Sequence, residues 1–244
     1  MLLLVAAAAF GAGIVVSADE PAGTPASAGA TGPREGAAEI DCDEVLAVGG
    51  DAAAFASALR SGETGCLRGG VHELDEVATI GEPGVVLTSF PGESATLAGR
   101  LWIETGADGT RVENLILDGR NPEGKPSPTI NADDVVLRGN DIANGHTAIC
   151  VSVNNYRDDA PPRGVVIENN AIHDCGLLPA TNHHHGIYIA NARDTVVRDN
   201  LIYGNADRGV QLYPDADDSV VTGNVIDGNG QGVIFGGGPD SSSD

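Results

Sequence analysis

The 244-residue chain is strongly acidic, with 35 aspartates and glutamates against 13 lysines and arginines, a formal charge of −22 at pH 7, and a single lysine, Lys125. Such a surface repels phosphate backbones and forgoes the counterion release that drives nucleic-acid binding, which excludes DNA and RNA as partners. An anionic polysaccharide meets the same repulsion and would need bridging cations or a local basic site, while the acidity also serves plain solubility.

Met1 to Val16 is an apolar run closed by Val16-Ser17-Ala18, the pattern of an export-signal core with a small-residue cleavage site over residues 1–18. The basic n-region is missing, so either the true start lies upstream or the segment is an uncleaved anchor; at about 15 apolar residues it is short for a stable membrane span. Residues 19–40 are rich in Ala, Gly, Pro, Ser and Thr and read as a disordered linker, because they offer little apolar surface to offset the entropy of ordering. A folded domain is expected over 41–244. Downstream of an export signal the four cysteines Cys42, Cys66, Cys150 and Cys175 read as two disulfides, of a secreted or cell-surface protein. Three pairings are possible, and Cys42 with Cys66 plus Cys150 with Cys175 is the one that keeps both loops local.

Asp51 to Leu59, DAAAFASAL, predicts a short helix with Asp51 as N-cap, placed to cover the open end of whatever stacks behind it. Strands separated by Gly, Pro, Asn and Asp follow at Val85–Thr88, Leu101–Glu104 and Val112–Leu117, and the body reads as all-β. Then one phrase returns four times: VVLRGNDI from Val135, VVIENNAI from Val165, TVVRDNLI from Thr195 and SVVTGNVI from Ser219. Its asparagines, Asn140, Asn170, Asn200 and Asn224, lie 30, 30 and 24 residues apart. A second phrase aligns HTAIC at His146, HGIYI at His185, RGVQL at Arg208 and QGVIF at Gln231, with Gly186, Gly209 and Gly232 every 23 residues.

Repeats of this length holding two or three short strands predict a right-handed parallel β-helix of about six or seven coils, stacked about 4.8 Å apart. Stacking would lay Ile187 and Ile189 over Val210 and Leu212 and under Ala148 and Cys150, align Ile142, Ile172, Ile202 and Ile226, and join the asparagines in an internal ladder. The chain ends in GGGPDSSSD with no capping helix, which reads as a truncated array, a frayed last coil or an edge covered by another chain.

On the V-x-x-x-N-x-I phrases and the G-[IV]-x-[IL] strands, residues from about 66 to 238 resemble the right-handed parallel β-helix repeat proteins of the pectate-lyase-like superfamily. That resemblance implies the fold and a polysaccharide or glycan partner, acted on by lyases, uronan epimerases or polygalacturonase-type hydrolases. The D-P-H-D run of the epimerases is absent, and activity has to be read from the residues mounted on the scaffold.

Two neighbouring coils carry long connections, SVNNYRDDAPPRG after Val151 and HDCGLLPATNHHHG after Ile172, and insertions on one face of a solenoid build its binding surface. His183, His184 and His185 run into the strand of Tyr188, whose side chain should face outward on one column with Gln211 and Ile234, with Arg208 beneath His185. His185, Tyr188, Arg208 and His183 are the parts needed to take a proton alpha to a carboxylate and give one to a leaving oxygen, and Gln211, Tyr213 and Tyr156 are candidate substrate contacts. Their alternative reading is ordinary surface side chains on a decorated loop. Asp215, Asp217 and Asp218 could offer oxygen ligands to calcium, the one cofactor the pattern suggests, or form a solvated acidic turn. Three functions stay open: a lyase or epimerase using the histidine face, a non-catalytic wall or surface module, and a hydrolase using two acids such as Asp215 and Asp217. Lys125 stands in the loop GKPSP and is expected away from the histidine face.

Overall fold

A computed structural model describes residues 40–154 and 160–237; the expected export segment, the linker to residue 39, Tyr156 and the tail from residue 238 lie outside them. Short strands fall into three parallel sheets, one of eight strands (sheet A) and two of seven (sheets B and C), and each sheet takes every third strand of the chain. After a first strand at Glu44–Leu46, seven complete coils each visit A, B and C in turn, as in Val196–Arg198, Leu201–Tyr203 and Arg208–Asp217. This is the expected right-handed parallel β-helix, the hand that right-twisted strands impose on parallel crossovers.

The corners explain the residue types of the repeat. Between sheets A and B the residue ahead of each ladder asparagine takes a left-handed backbone, with φ 65° at Gly139, 55° at Asn169, 56° at Asp199 and 65° at Gly223. Only Gly, Asn and Asp enter that region cheaply, so the recurring pairs GN, NN, DN and GN are one bend written four ways. The same bend at Asn114, φ 54°, splits the expected strand Val112–Leu117 into Arg111–Glu113 on sheet A and Ile116–Asp118 on sheet B.

Asn140, Asn170 and Asn200 are buried, and each joins three coils. The Asn170 side-chain oxygen accepts the Asn140 backbone N–H at 2.9 Å, while its amide donates to the Leu137 carbonyl at 3.0 Å and to the Asn200 side-chain oxygen at 3.0 Å. Asn140 and Asn200 repeat the pattern, Asn224 repeats its half toward the preceding coil, and a second ladder runs through Asn205 and Asn229 at the next corner. Inside, Ile142, Ile172, Ile202 and Ile226 pair in register on sheet B, forming one aliphatic file. Burying such a side chain is worth about 1.5–3 kcal/mol. On sheet A an outward file alternates Glu113, Arg138, Glu168 and Arg198, and buried Glu168 accepts from Arg138 Nε at 2.5 Å and Arg198 Nε at 2.6 Å.

The N-terminal helix α1 covers Ala52–Ala58, with the Asp51 carboxylate accepting the Ala54 N–H at 2.9 Å. Ala52, Ala56 and Leu59 join the core, and the helix lies so close that a β-carbon on Gly65 would collide with Leu59 and Phe55. Both disulfides pair as the local-loop reading expects, Cys42 with Cys66 and Cys150 with Cys175. Among the described residues no helix is long and apolar enough to cross a membrane.

One alignment is corrected. Ile187 and Ile189 pair with Val151 and Val153, not with Ala148 and Cys150. HTAIC does not form a strand: Gly145 and His146 both take left-handed backbones, and Cys150 is drawn into the disulfide, so the sheet C strand starts at Val151.

Replacing Asn170 with alanine would strand the Asn140 N–H and the Leu137 carbonyl in a dry corner. We expect a loss of roughly 3 kcal/mol of stability, since each buried unpaired group costs about 1–3 kcal/mol. Denaturant unfolding of Asn170→Ala checks this, and a loss under about 0.5 kcal/mol would show that the ladder carries no load.

Candidate functional site

The strand Ile187–Arg193 buries Ile187 and Ile189 and turns Tyr188 out, and register places Gln211 and then Ile234 on the same outward file of sheet C. Sheet C therefore offers a fixed, ladder-bonded floor. The histidine loop, residues 174–186, stands beside it. The loop is pinned at its start by the Cys150–Cys175 disulfide and at its end by two consecutive residues of the next coil, Asp207 and Arg208.

Asp207, almost fully buried, accepts the backbone N–H groups of Asn182 at 2.8 Å, His183 at 2.9 Å and His184 at 2.9 Å. Burial opposes ionisation of its carboxyl, but the hydrogen bonds from the His184, Asn182 and His183 backbone outweigh it and hold the pKa below the usual value. Arg208 completes the clamp, donating to the Asn182 carbonyl at 3.1 Å, the Asn182 side-chain oxygen at 2.6 Å and Gln231 Oε1 at 3.0 Å.

The result is an open cavity of about 350 Å³ lined by Asn182, His183, His185, Tyr188, Arg208, Gln211 and Tyr213. His185 is buried, its ring centroid lies 5.7 Å from that of Tyr188, and among the described residues its Nδ1 has no hydrogen-bond partner. Burial, then the nearby Arg208 charge, pushes its pKa down to about 4 against the opposing pull of Asp207. At neutral pH the ring is uncharged and has a nitrogen lone pair to offer.

Six of the seven residues expected for catalysis and substrate contact, namely His183, His185, Tyr188, Arg208, Gln211 and Tyr213, line this one cavity. Tyr156 lies outside the described residues. The aspartates expected for calcium have structural engagements: Asp215 pairs in register with Asn191, Asp217 forms an ion pair with Arg193 at 2.9 Å, and Asp218 sits at a left-handed corner, φ 53°. Among the described residues no three His, Cys, Asp or Glu side chains group as a metal site. Lys125 is not remote from the histidine loop. The Asn121 side chain accepts the Lys125 N–H at 3.0 Å and donates to its carbonyl at 2.8 Å, folding that loop back so that Lys125 and His184 line a common cavity.

Sequence reasoning missed Asp207, whose partners lie 23 to 25 residues earlier and become visible only once the coils are superimposed. It also missed a cluster on sheet B. His173 is held there between Asp141 at 2.8 Å and Asp174 at 2.9 Å and stacks on Tyr203, ring centroids 4.8 Å apart. Burial disfavours the charged ring, yet the bonds to Asp174 and Asp141 prevail and raise the His173 pKa.

His185 is ordinary, near 6.5, when unfolded and about 4 when folded. In that window the unfolded chain binds more protons, so stability contributed by the neutral buried ring is present above pH 6.5 and is lost as pH falls toward 4. Thermal melting across this range should fall less steeply for His185→Leu than for the unmodified chain, whereas parallel curves would contradict the assignment.

Residues 129–241 match the family model described as a right-handed beta helix region. No curated protein matches the chain. Among solved structures, the chain is similar to an alginate lyase from Paenibacillus sp. str. FPU-7, with 13% identity, 80% of this chain and 99% of that chain covered, and a TM-score of 0.41, a likeness too distant to carry an argument. The register of stacked coils makes the described residues a right-handed parallel β-helix, and the match to the right-handed beta helix region agrees with that fold.

Proposed function

We propose that the cavity on sheet C binds a polysaccharide and processes it by abstracting a proton alpha to a uronate carboxylate, the chemistry of lyases and epimerases. The observation that carries this reading is the convergence of a neutral buried imidazole, His185, and an outward phenol, Tyr188, on one open groove. His185 in its uncharged form accepts the proton, and the Tyr188 hydroxyl gives one to the leaving oxygen or to the opposite face of the sugar. Arg208 has much of its donor capacity committed to Asn182 and Gln231, so it acts as a positioning residue and adds positive charge beside the site. The two disulfides support an exported, oxidising setting, where such polymers are met.

A second reading, a non-catalytic glycan-binding module of a wall or surface, is favoured by that same commitment of Arg208.

Screening the protein against uronate polysaccharides for the conjugated product of elimination, and for inverted sugar configuration, separates the two. Tyr188→Phe keeps the ring and removes the proton. If Tyr188 is the acid, turnover should drop by about 10²-fold or more while binding persists. Unchanged turnover would remove Tyr188 from the mechanism, and the absence of turnover on every uronate polymer would favour the binding module.

A further inference from the structure

The outward file of sheet C continues past Tyr188 toward the N-terminal coils. Register carries it from Tyr188 to Ser152, Thr129 and Trp102, so Trp102 stands three coils away, about 14 Å at the ordinary spacing of parallel strands. Around Trp102 lies a second cavity, of about 390 Å³, lined also by Arg100, Lys125, Thr129, Ile149 and His184. The histidine loop borders both cavities, presenting His184 to this one and His183 and His185 to the other.

Its chemistry stands apart from the acidic surface. The sole tryptophan and the sole lysine of a chain with charge −22 meet here, beside an arginine. Trp102 Nε1 donates to Glu104 at 3.1 Å and the Arg100 guanidinium lies 5.1 Å from the indole centroid, contacts that hold the ring in one orientation. Arg100 also pairs with Glu123 at 3.2 Å, so its charge is largely spent. Lys125 is exposed, its backbone is fixed by Asn121, and among the described residues its ammonium forms no ion pair. An indole face suits the C–H face of a pyranose ring, and an ammonium free of an ion-pair partner suits a carboxylate.

We infer that the Trp102–Lys125 cavity is a remote subsite for one acidic sugar of an anionic oligosaccharide that lies along the coil axis and crosses the histidine loop into the Tyr188 groove. The inference rests on reading that groove as a polysaccharide site, and it does not depend on catalysis there. A neutral glycan would use only the aromatic face, and a free uronate monomer would fill only one of the two cavities.

Because Trp102 is the sole tryptophan, its fluorescence reports on this cavity alone. The full chain is titrated with hexamers of galacturonate, glucuronate, mannuronate and guluronate, with the matching monomers, and with cellohexaose as the neutral control. At least one uronate hexamer should change the emission saturably, while its monomer and cellohexaose, which lacks a carboxylate for Lys125, should each bind at least about tenfold more weakly. Lys125→Met, which keeps the aliphatic stem on an exposed loop, should weaken the responding hexamer by about tenfold with no change in thermal melting. No response to any hexamer, an equal response to cellohexaose, or full affinity in Lys125→Met would each overturn the inference. An emission change without any product retains the subsite and sinks the catalytic reading. Product formation with a KM untouched by Lys125→Met does the reverse.

Discussion

No coil of this protein can satisfy its own backbone. Each strand of two to ten residues donates to and accepts from the coils above and below, and at the corners, where no strand continues, the buried asparagines supply the missing partners. Asn140, Asn170 and Asn200 give their backbone N–H groups to the side chain one coil further on, so a slip of a single residue would leave several buried polar groups unpaired at once. Register is therefore set by polar satisfaction at the corners, while the apolar files behind it supply the bulk of the favourable energy.

That constraint also builds the site. A frame held by coil-to-coil hydrogen bonds can carry loops of different length without changing its own geometry, and the 13-residue connection bearing the three histidines is such a loop. What orders the loop is a buried anion from the next coil: Asp207 collects three successive N–H groups, and neighbouring Arg208 holds the carbonyl and side chain of Asn182. Burial does most to keep the His185 imidazole uncharged; of the clamp, Arg208 adds to that and Asp207 opposes it.

The fold was largely legible because a periodic structure writes its contacts periodically. The file Ile142, Ile172, Ile202 and Ile226, the asparagine ladder, the outward face of Tyr188 with Gln211, and the capping helix all follow from spacing and residue type. The reading failed where the period breaks. HTAIC has the apolar pattern of a strand, but two left-handed residues and a disulfide shift the true strand to Val151, a substitution of one apolar pair for another that composition cannot register. Asp207 and Lys125 were illegible for a related reason, since their roles depend on how irregular loops fold back across coils, while the Asp141–His173–Asp174 cluster joins outward side chains of adjacent coils that no repeated phrase marks. The aspartates at 215, 217 and 218, which read either as oxygen ligands or as an acidic turn, take part in register, an ion pair and a corner.

The stacking claim is tested most directly by amide hydrogen exchange under native conditions, resolved at the corner asparagines. If buried side-chain ladders seal the coils, the amides of Asn140, Asn170 and Asn200 should exchange only when the whole molecule unfolds, with the same protection as core amides such as that of Ile167. Exchange at those three positions as fast as in the exposed loop at Lys125, in protein that stays folded, would contradict the account.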